Sequence, residues 1–170
     1  MKHNNIETKE DLIKLVKKVG FVDSEILELI RKKFNWDLEL IEKIGHFFPF
    51  NWCALAYTVP DDVIKRFSHQ FNFEELLKYQ KISESVLREC KDKISWEYVS
   101  EFYSLSWGFI EEFESKLYIE SILNNKLCTH NLPVEFLVKH IDLIDNIEKF
   151  RDNLNPEDYK ILETIVGINR

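Results

Sequence analysis

Apolar residues recur through the middle of this chain at a fixed interval of 23 positions. With Val59 to Lys81 set above Ile82 to Ser104 and Leu105 to Leu127, the columns read Val59/Ile82/Leu105, Val63/Val86/Phe109, Ile64/Leu87/Ile110, Phe67/Cys90/Phe113 and Phe71/Ile94/Leu117. Every entry is apolar. The second half of the unit adds Phe73/Trp96/Ile119, Leu76/Val99/Ile122 and the shorter column Tyr79/Phe102. A fixed period of this length marks stacked supersecondary units. Within one copy, the i, i+1, i+4 spacing of Val86, Leu87 and Cys90 puts three side chains on one helix face, with charged residues on the other. A second helix of about two turns follows from Phe73 or Trp96, too short to persist alone and dependent on stacking. The pattern predicts an all-α protein of about a dozen short helices packed as antiparallel pairs, solenoid-like or as a compact superhelical bundle.

The flanks carry weaker copies. Val22, Ile26, Leu27, Ile30 and Phe34 repeat the spacing of Val59, Val63, Ile64, Phe67 and Phe71, and Trp36 stands where Phe73 does. Before them, Thr8-x-x-Asp11 reads as a capping box and Gly20 as a helix stop. Gly45 to Phe50 is an aromatic-rich connection, since Pro49 disfavours helix in the residue before it. Past Leu127, a four-residue insertion precedes Leu132-Pro133-x-x-Phe136-Leu137, which matches Val59-Pro60-x-x-Val63-Ile64. Asn155-Pro156-Glu157-Asp158 combines an N-cap, a first-turn Pro and first-turn acids, and predicts a final helix ending near Gly167. The expected organisation is one domain, with an N-terminal capping helix over 1–21, repeat units over 22–144 and C-terminal capping helices over 145–170.

Composition narrows the function classes. The 170 residues are 45% hydrophobic and 14% aromatic with only 4 Gly and 4 Pro, which argues against disorder. Lys and Arg number 23 against 30 Asp and Glu, and the net charge of -7 opposes attraction to phosphates or anionic lipid. Direct nucleic-acid binding is therefore not expected. No apolar run approaches the length of a membrane span. Cys53, Cys90 and Cys128 are too few and too far apart for a disulfide framework, and no leader-like segment opens the sequence; a reducing cytoplasm is expected.

Local signatures of catalysis are missing. No G-x-S-x-G elbow occurs, and glycines at 20, 45, 108 and 167 cannot form a phosphate-cradling loop. Adjacent acids such as Asp61-Asp62, Glu74-Glu75 and Glu111-Glu112 suit a solvated helix face better than an acid–base pair. Cys128, His130 and His140 form the one cluster that suggests a metal, without the paired ligand spacings of a structural zinc site. Cys90 sits in a core column, which reads as a small buried hydrophobe, and Cys53 resembles it. The expectation is a non-enzymatic protein without a cofactor. An enzyme or metal protein using Cys128, His130 and His140 is the outlying alternative.

Side chains that break the polarity of their column are not explained by the scaffold. Trp107 shares its column with Asp61 and Glu84, Tyr98 with Glu75 and Ser121, and Tyr103 with Gln80; Tyr57 lies near them in the imperfect copy. Exposed Trp and Tyr are effective interface anchors. Trp107, Tyr98 and Tyr103, with Glu111 and Glu112 beside Trp107, are the expected partner-binding residues. A second reading makes the protein a nucleic-acid mimic whose Asp61, Asp62, Glu84, Glu111, Glu112 and Glu114 compete for a basic groove.

The stretch from Lys78 to Phe113 resembles a short helical repeat of large DNA viruses and bacteriophages, in which Trp opens one helix and Leu-Ser-x-x-Phe-Ile the next. The matching residues are Trp96, Val99, Leu105, Ser106, Phe109, Ile110 and Phe113, with Ile82, Ser83, Val86 and Leu87 one copy earlier. Val59-Pro60 and Leu132-Pro133 depart from the Leu-Ser form. The resemblance implies a scaffold of viral origin and carries no catalytic residues. With it comes the expectation of a host protein as partner, occupied sterically in the host cytoplasm, such as a CRISPR defence effector.

Overall fold

A computed structural model describes residues 6–34, 37–47 and 59–168. Among these residues there are eleven α-helices and no strand: α1 (Lys9–Val19), α2 (Ser24–Lys33), α3 (Leu38–Ile44), α4 (Asp61–Arg66), α5 (Phe73–Tyr79), α6 (Glu84–Glu89), α7 (Trp96–Phe102), α8 (Trp107–Phe113), α9 (Ile119–Asn124), α10 (Val134–Lys139) and α11 (Pro156–Ile168). The chain is all-α, as the periodicity predicts. No described helix is long and apolar enough to cross a membrane. Trp36, Cys53, Tyr57 and most of the aromatic connection lie outside the described residues; its opening, Gly45–Phe47, is one 3-10 turn.

Helix starts follow from local chemistry. α4, α6 and α8 begin at Asp61, Glu84 and Trp107, and α5, α7 and α9 at Phe73, Trp96 and Ile119, so equivalent starts lie 23 residues apart. In most copies the residue before the start supplies the cap. Ser83, Ser95 and Ser106 accept the amides of Val86, Tyr98 and Phe109, and Asn72 accepts those of Glu74 and Glu75, satisfying donors that a helix leaves open. Pro60 and Pro133 stand at the same point before α4 and α10 with φ of -58° and -72°; Pro brings no orphan amide of its own, so it replaces Ser without a side-chain bond. α1 has the predicted capping box from Thr8 and Asp11, and ends at Gly20, whose φ of 82° suits glycine. The four-residue insertion before α10 is taken up by a 3-10 turn at Thr129–Asn131.

Burial selects one face of each helix. Val63, Ile64, Val86, Leu87, Phe109, Ile110 and Leu137 are wholly buried, and Phe136 nearly so. Helices of six or seven residues are held by this burial and not by propensity.

The chain folds as two compact units, Met1–Ile94 and Ser95–Arg170. In the first, α1 packs on α3, α3 on α4, and α4 on α6. Lys9 pairs with Asp37, which also caps α3. In the second, α7 packs on α9 and α10 on α11. Polar links within each unit join residues about one period apart. The Gln80 amide bonds both the N–H and the C=O of Val59 (2.8 and 2.7 Å), and Lys93 reaches Ser68 (2.8 Å). In the second unit Lys139 reaches Glu114 (2.6 Å) and Lys149 reaches Asn124 (2.7 Å).

Candidate binding surface

The second unit contains an open groove of about 530 Å3 lined by Glu101, Phe102, Glu120, Ser121, Asn124 and Asn125. Its walls are α7 and α9. On α7, the cap at Ser95 sets the phase that turns Val99 and Ser100 inward. That phase sends Tyr98 and Phe102, four residues apart, to the outer side, where their rings lie 4.7 Å apart. Phe102 remains 42% exposed.

The floor is a polar clasp. Asn125, only 6% exposed, donates through Nδ2 to the carbonyls of Ser100 (3.0 Å) and Tyr103 (2.8 Å) and accepts Leu127 N–H at Oδ1 (2.9 Å). Cys128 Sγ–H donates to the Tyr103 carbonyl (3.2 Å) and accepts the amide of Leu105 (3.4 Å). The last carbonyls of α7 have no intrahelical donor, and these two side chains cap them from one period downstream. Ser100 Oγ also accepts the amide of Tyr118 (3.0 Å), just before α9.

The two walls of the groove carry acids and no cation of their own. Neither α7 (WEYVSEF) nor α9 (IESILN) contains Lys or Arg. Among the described residues, Glu97, Glu101 and Glu120 form no ion pair, whereas Glu42, Glu74, Glu84, Glu89, Glu114 and Glu148 all do. Lys149, whose pKa burial pushes down, donates to Asn124 beside it.

The residues predicted to bind a partner divide. Tyr98 is half-buried at the edge of this surface. Trp107 is half-buried at the start of α8, its ring edge-on to Phe136 at 5.2 Å, which agrees with the expected partial exposure. Glu111 and Glu112 are exposed on α8; Glu112 is engaged by a neighbour, while Glu111 forms no ion pair among the described residues. No hydrogen bond, ion pair or ring contact among the described residues joins Trp107 or Glu111 to Tyr98. Tyr103 corrects the expectation of exposure, because it is only 3% exposed. Its column partner Gln80 misleads: Gln80 is polar because its amide pairs with the Val59 backbone and not because it faces water. Sequence reasoning does not single out Phe102, Glu101 or Glu120. One signal for them exists, since the column Tyr79/Phe102 continues to Asn125 and so loses its apolar character at the third copy.

The metal-binding alternative loses its ligands to other tasks. Cys128 is wholly buried in the clasp, His130 is exposed, and His140 hydrogen-bonds Glu114 (2.7 Å) with its ring against Phe136 (4.6 Å). Among the described residues no group of three or more His, Cys, Asp and Glu is placed to hold a metal. Burial pushes the Cys90 thiol up, which makes it a poor nucleophile. The acids expected to imitate phosphates are largely committed. Asp61 accepts the Ser83 hydroxyl, Asp62 accepts the Val63 amide, Glu84 pairs with Arg88, and Glu114 pairs with Lys139 and His140.

Lys139 first, then His140, hold the Glu114 carboxyl below its ordinary value of 4.5. A depressed carboxylate contributes stability above its unfolded pKa and loses it as pH falls through the folded one. Glu114→Gln therefore lowers the melting temperature near neutral pH, and the gap from wild type closes as pH falls below the ordinary carboxyl value of 4.5 and the carboxylate is protonated. A gap that is constant across this range in thermal melts would show that the charge contributes nothing. Comparison of the chain with family models, curated proteins and solved structures gives no match.

Proposed function

We propose that this chain is a non-enzymatic protein-binding module, a short solenoid of stacked helix pairs that receives its partner in the groove between α7 and α9. Two regularities support the stack: equivalent helix starts lie 23 residues apart, and the polar links within each unit span about one period. The observation that carries the binding reading is Phe102, a large aromatic left 42% exposed on the rim of a 530 Å3 groove and backed by Tyr98. A folded monomer gains by burying such a ring, and a ring at a groove rim is the side chain that anchors an interface. The resemblance to viral and phage repeats extends the proposal to steric occupation of a host protein. Phosphate mimicry has less support, because most of the carboxylates it needs are already bonded within the chain.

The test is affinity capture from nuclease-treated lysate with matched variants. Phe102→Ala is expected to release the partner held by wild type, with an affinity loss of about tenfold or more, as for a hot-spot aromatic. Glu111→Gln should retain it. Release by Trp107→Ala and not by Phe102→Ala would move the site to α8, and equal retention by all variants would remove the groove from consideration.

A further inference from the structure

We infer that the outer face of α11 is a self-association surface, on which a second copy of this chain seats the same face in an antiparallel, two-fold pair. This surface is separate from the groove between α7 and α9. α11 is apolar on two sides. Tyr159 and Leu162 are buried in the unit where α11 packs on α10, whereas Ile161, 47% exposed, and the half-buried Ile165 stand four residues apart on the other side. Among the described residues this outer stripe consists of Glu157, Lys160, Ile161, Thr164 and Ile165, at the i, i+3, i+4, i+7, i+8 spacing of one helix face, and it lines an open cleft of about 410 Å3. Thr164 donates its hydroxyl proton to the Lys160 carbonyl (2.8 Å), so the stripe is more apolar than its residue types suggest. α1 shows the ordinary arrangement: Leu12, Ile13 and Val16 are buried, and exposed Lys14, Lys17 and Lys18 cover the solvated side.

Charge selects the occupant. The second unit, Ser95–Arg170, holds 7 Lys and Arg against 14 Asp and Glu, and the first unit holds 16 of each, so the whole net charge of -7 lies in the second. Most of its surface therefore repels another copy. On the α11 stripe one acid and one base balance. Glu157 and Lys160 are both exposed, form no ion pair among the described residues and lie about one turn apart, so antiparallel pairing brings each within reach of its opposite in the second copy. A strongly basic or strongly acidic segment would set a like charge against one of the two. A copy of the same face matches both charges and covers the isoleucines at once. One helix face is smaller than a standard interface, so the pair is weak, with a dissociation constant of about 0.1 mM.

The experiment is sedimentation equilibrium of the full chain from about 20 μM to about 1 mM at about 0.15 M salt, with amide NMR spectra over the same dilution. The average mass is expected to rise from one chain toward two, and the amide shifts that move on dilution should cluster between Glu157 and Ile165. Ile161→Lys should weaken the pair at least about tenfold. Because it lowers the net negative charge, it would strengthen any association limited by general repulsion. Leu143→Lys, at an apolar side chain 43% exposed elsewhere in the same unit, makes the same change of charge and should leave the pair intact. Lys160→Glu should weaken association several-fold, and adding Glu157→Lys should restore it at the original net charge. The NMR spectra confirm that each variant is folded. A single-chain mass at every concentration, equal loss with Leu143→Lys, or a mass that climbs past two chains would each overturn the two-fold pairing on α11. Capture of a partner through Phe102 is unaffected by any of these outcomes.

Discussion

Phe109→Ala lowers the free energy of unfolding by about 3–5 kcal/mol, the range for truncating a large aromatic in a closed core. Phe109 has no exposed surface and lies against Phe113, with ring centroids 4.7 Å apart, and against Trp96 at 6.3 Å. Its neighbours sit on short helices whose starts are pinned by Ser95 and Ser106, so they cannot slide inward to fill the space. The loss combines the transfer energy of the ring with the cavity it leaves. Urea denaturation measures it, and an unchanged dependence on denaturant would show that the compactness of both states is preserved. A loss below about 1 kcal/mol would mean that the site collapses and that the packing around α8 is loose. Trp107→Ala, two residues away, is the control: a half-buried ring contributes less, so a larger loss there would invert the assignment of core and surface on α8.

Asn125→Leu destabilises the second unit by about 3 kcal/mol, the upper end of the cost of stranding buried polar groups. The substitution keeps the number and branching of the side-chain heavy atoms, so the shape is similar while every polar group of the side chain is removed. It strands the carbonyls of Ser100 and Tyr103 and the amide of Leu127, all of which Asn125 serves. A buried polar group left without a partner costs about 1–3 kcal/mol, and Cys128 retains its bond to the Tyr103 carbonyl, which limits the total. Asn125→Asp separates the parts. It keeps the acceptor for Leu127 but sets a carboxylate beside two carbonyls, and should be worse than Leu. Denaturation of both variants, with hydrogen exchange at Leu127, checks the order. Asp matching wild type would sink the donor role.

The groove depends on this clasp. Asn125 links the end of α7 to the loop after α9, and the same geometry leaves Phe102 standing at the rim. Under the proposed binding reading, a partner-binding loss in Asn125→Leu would therefore report the frame, and one in Phe102→Ala the ring itself.

Much of this architecture is legible in the order of residues. The helical class, the 23-residue spacing of helix starts, the capping box at Thr8, the stop at Gly20 and the final helix from Pro156 follow from local rules of period 3.6 and of end chemistry, which act over a few residues. The partial exposure of Trp107 is legible for the same reason, since an aromatic in an acidic column has no core to join. Tyr103 and Phe102 exchange their expected places because both depend on a residue one period away. Asn125 reaches back to the carbonyls of Ser100 and Tyr103, and with Cys128 it closes the end of α7, burying Tyr103 beneath and leaving Phe102 outside. The Gln80 side chain, spent on the backbone of Val59, gives its column a polarity unrelated to solvent. Helix propensity, caps and periodicity are written into neighbouring residues and so belong to the chain itself. Which polar side chain bonds a distant carbonyl, and hence which aromatic stays exposed, is settled only when segments some 22 residues apart are packed together.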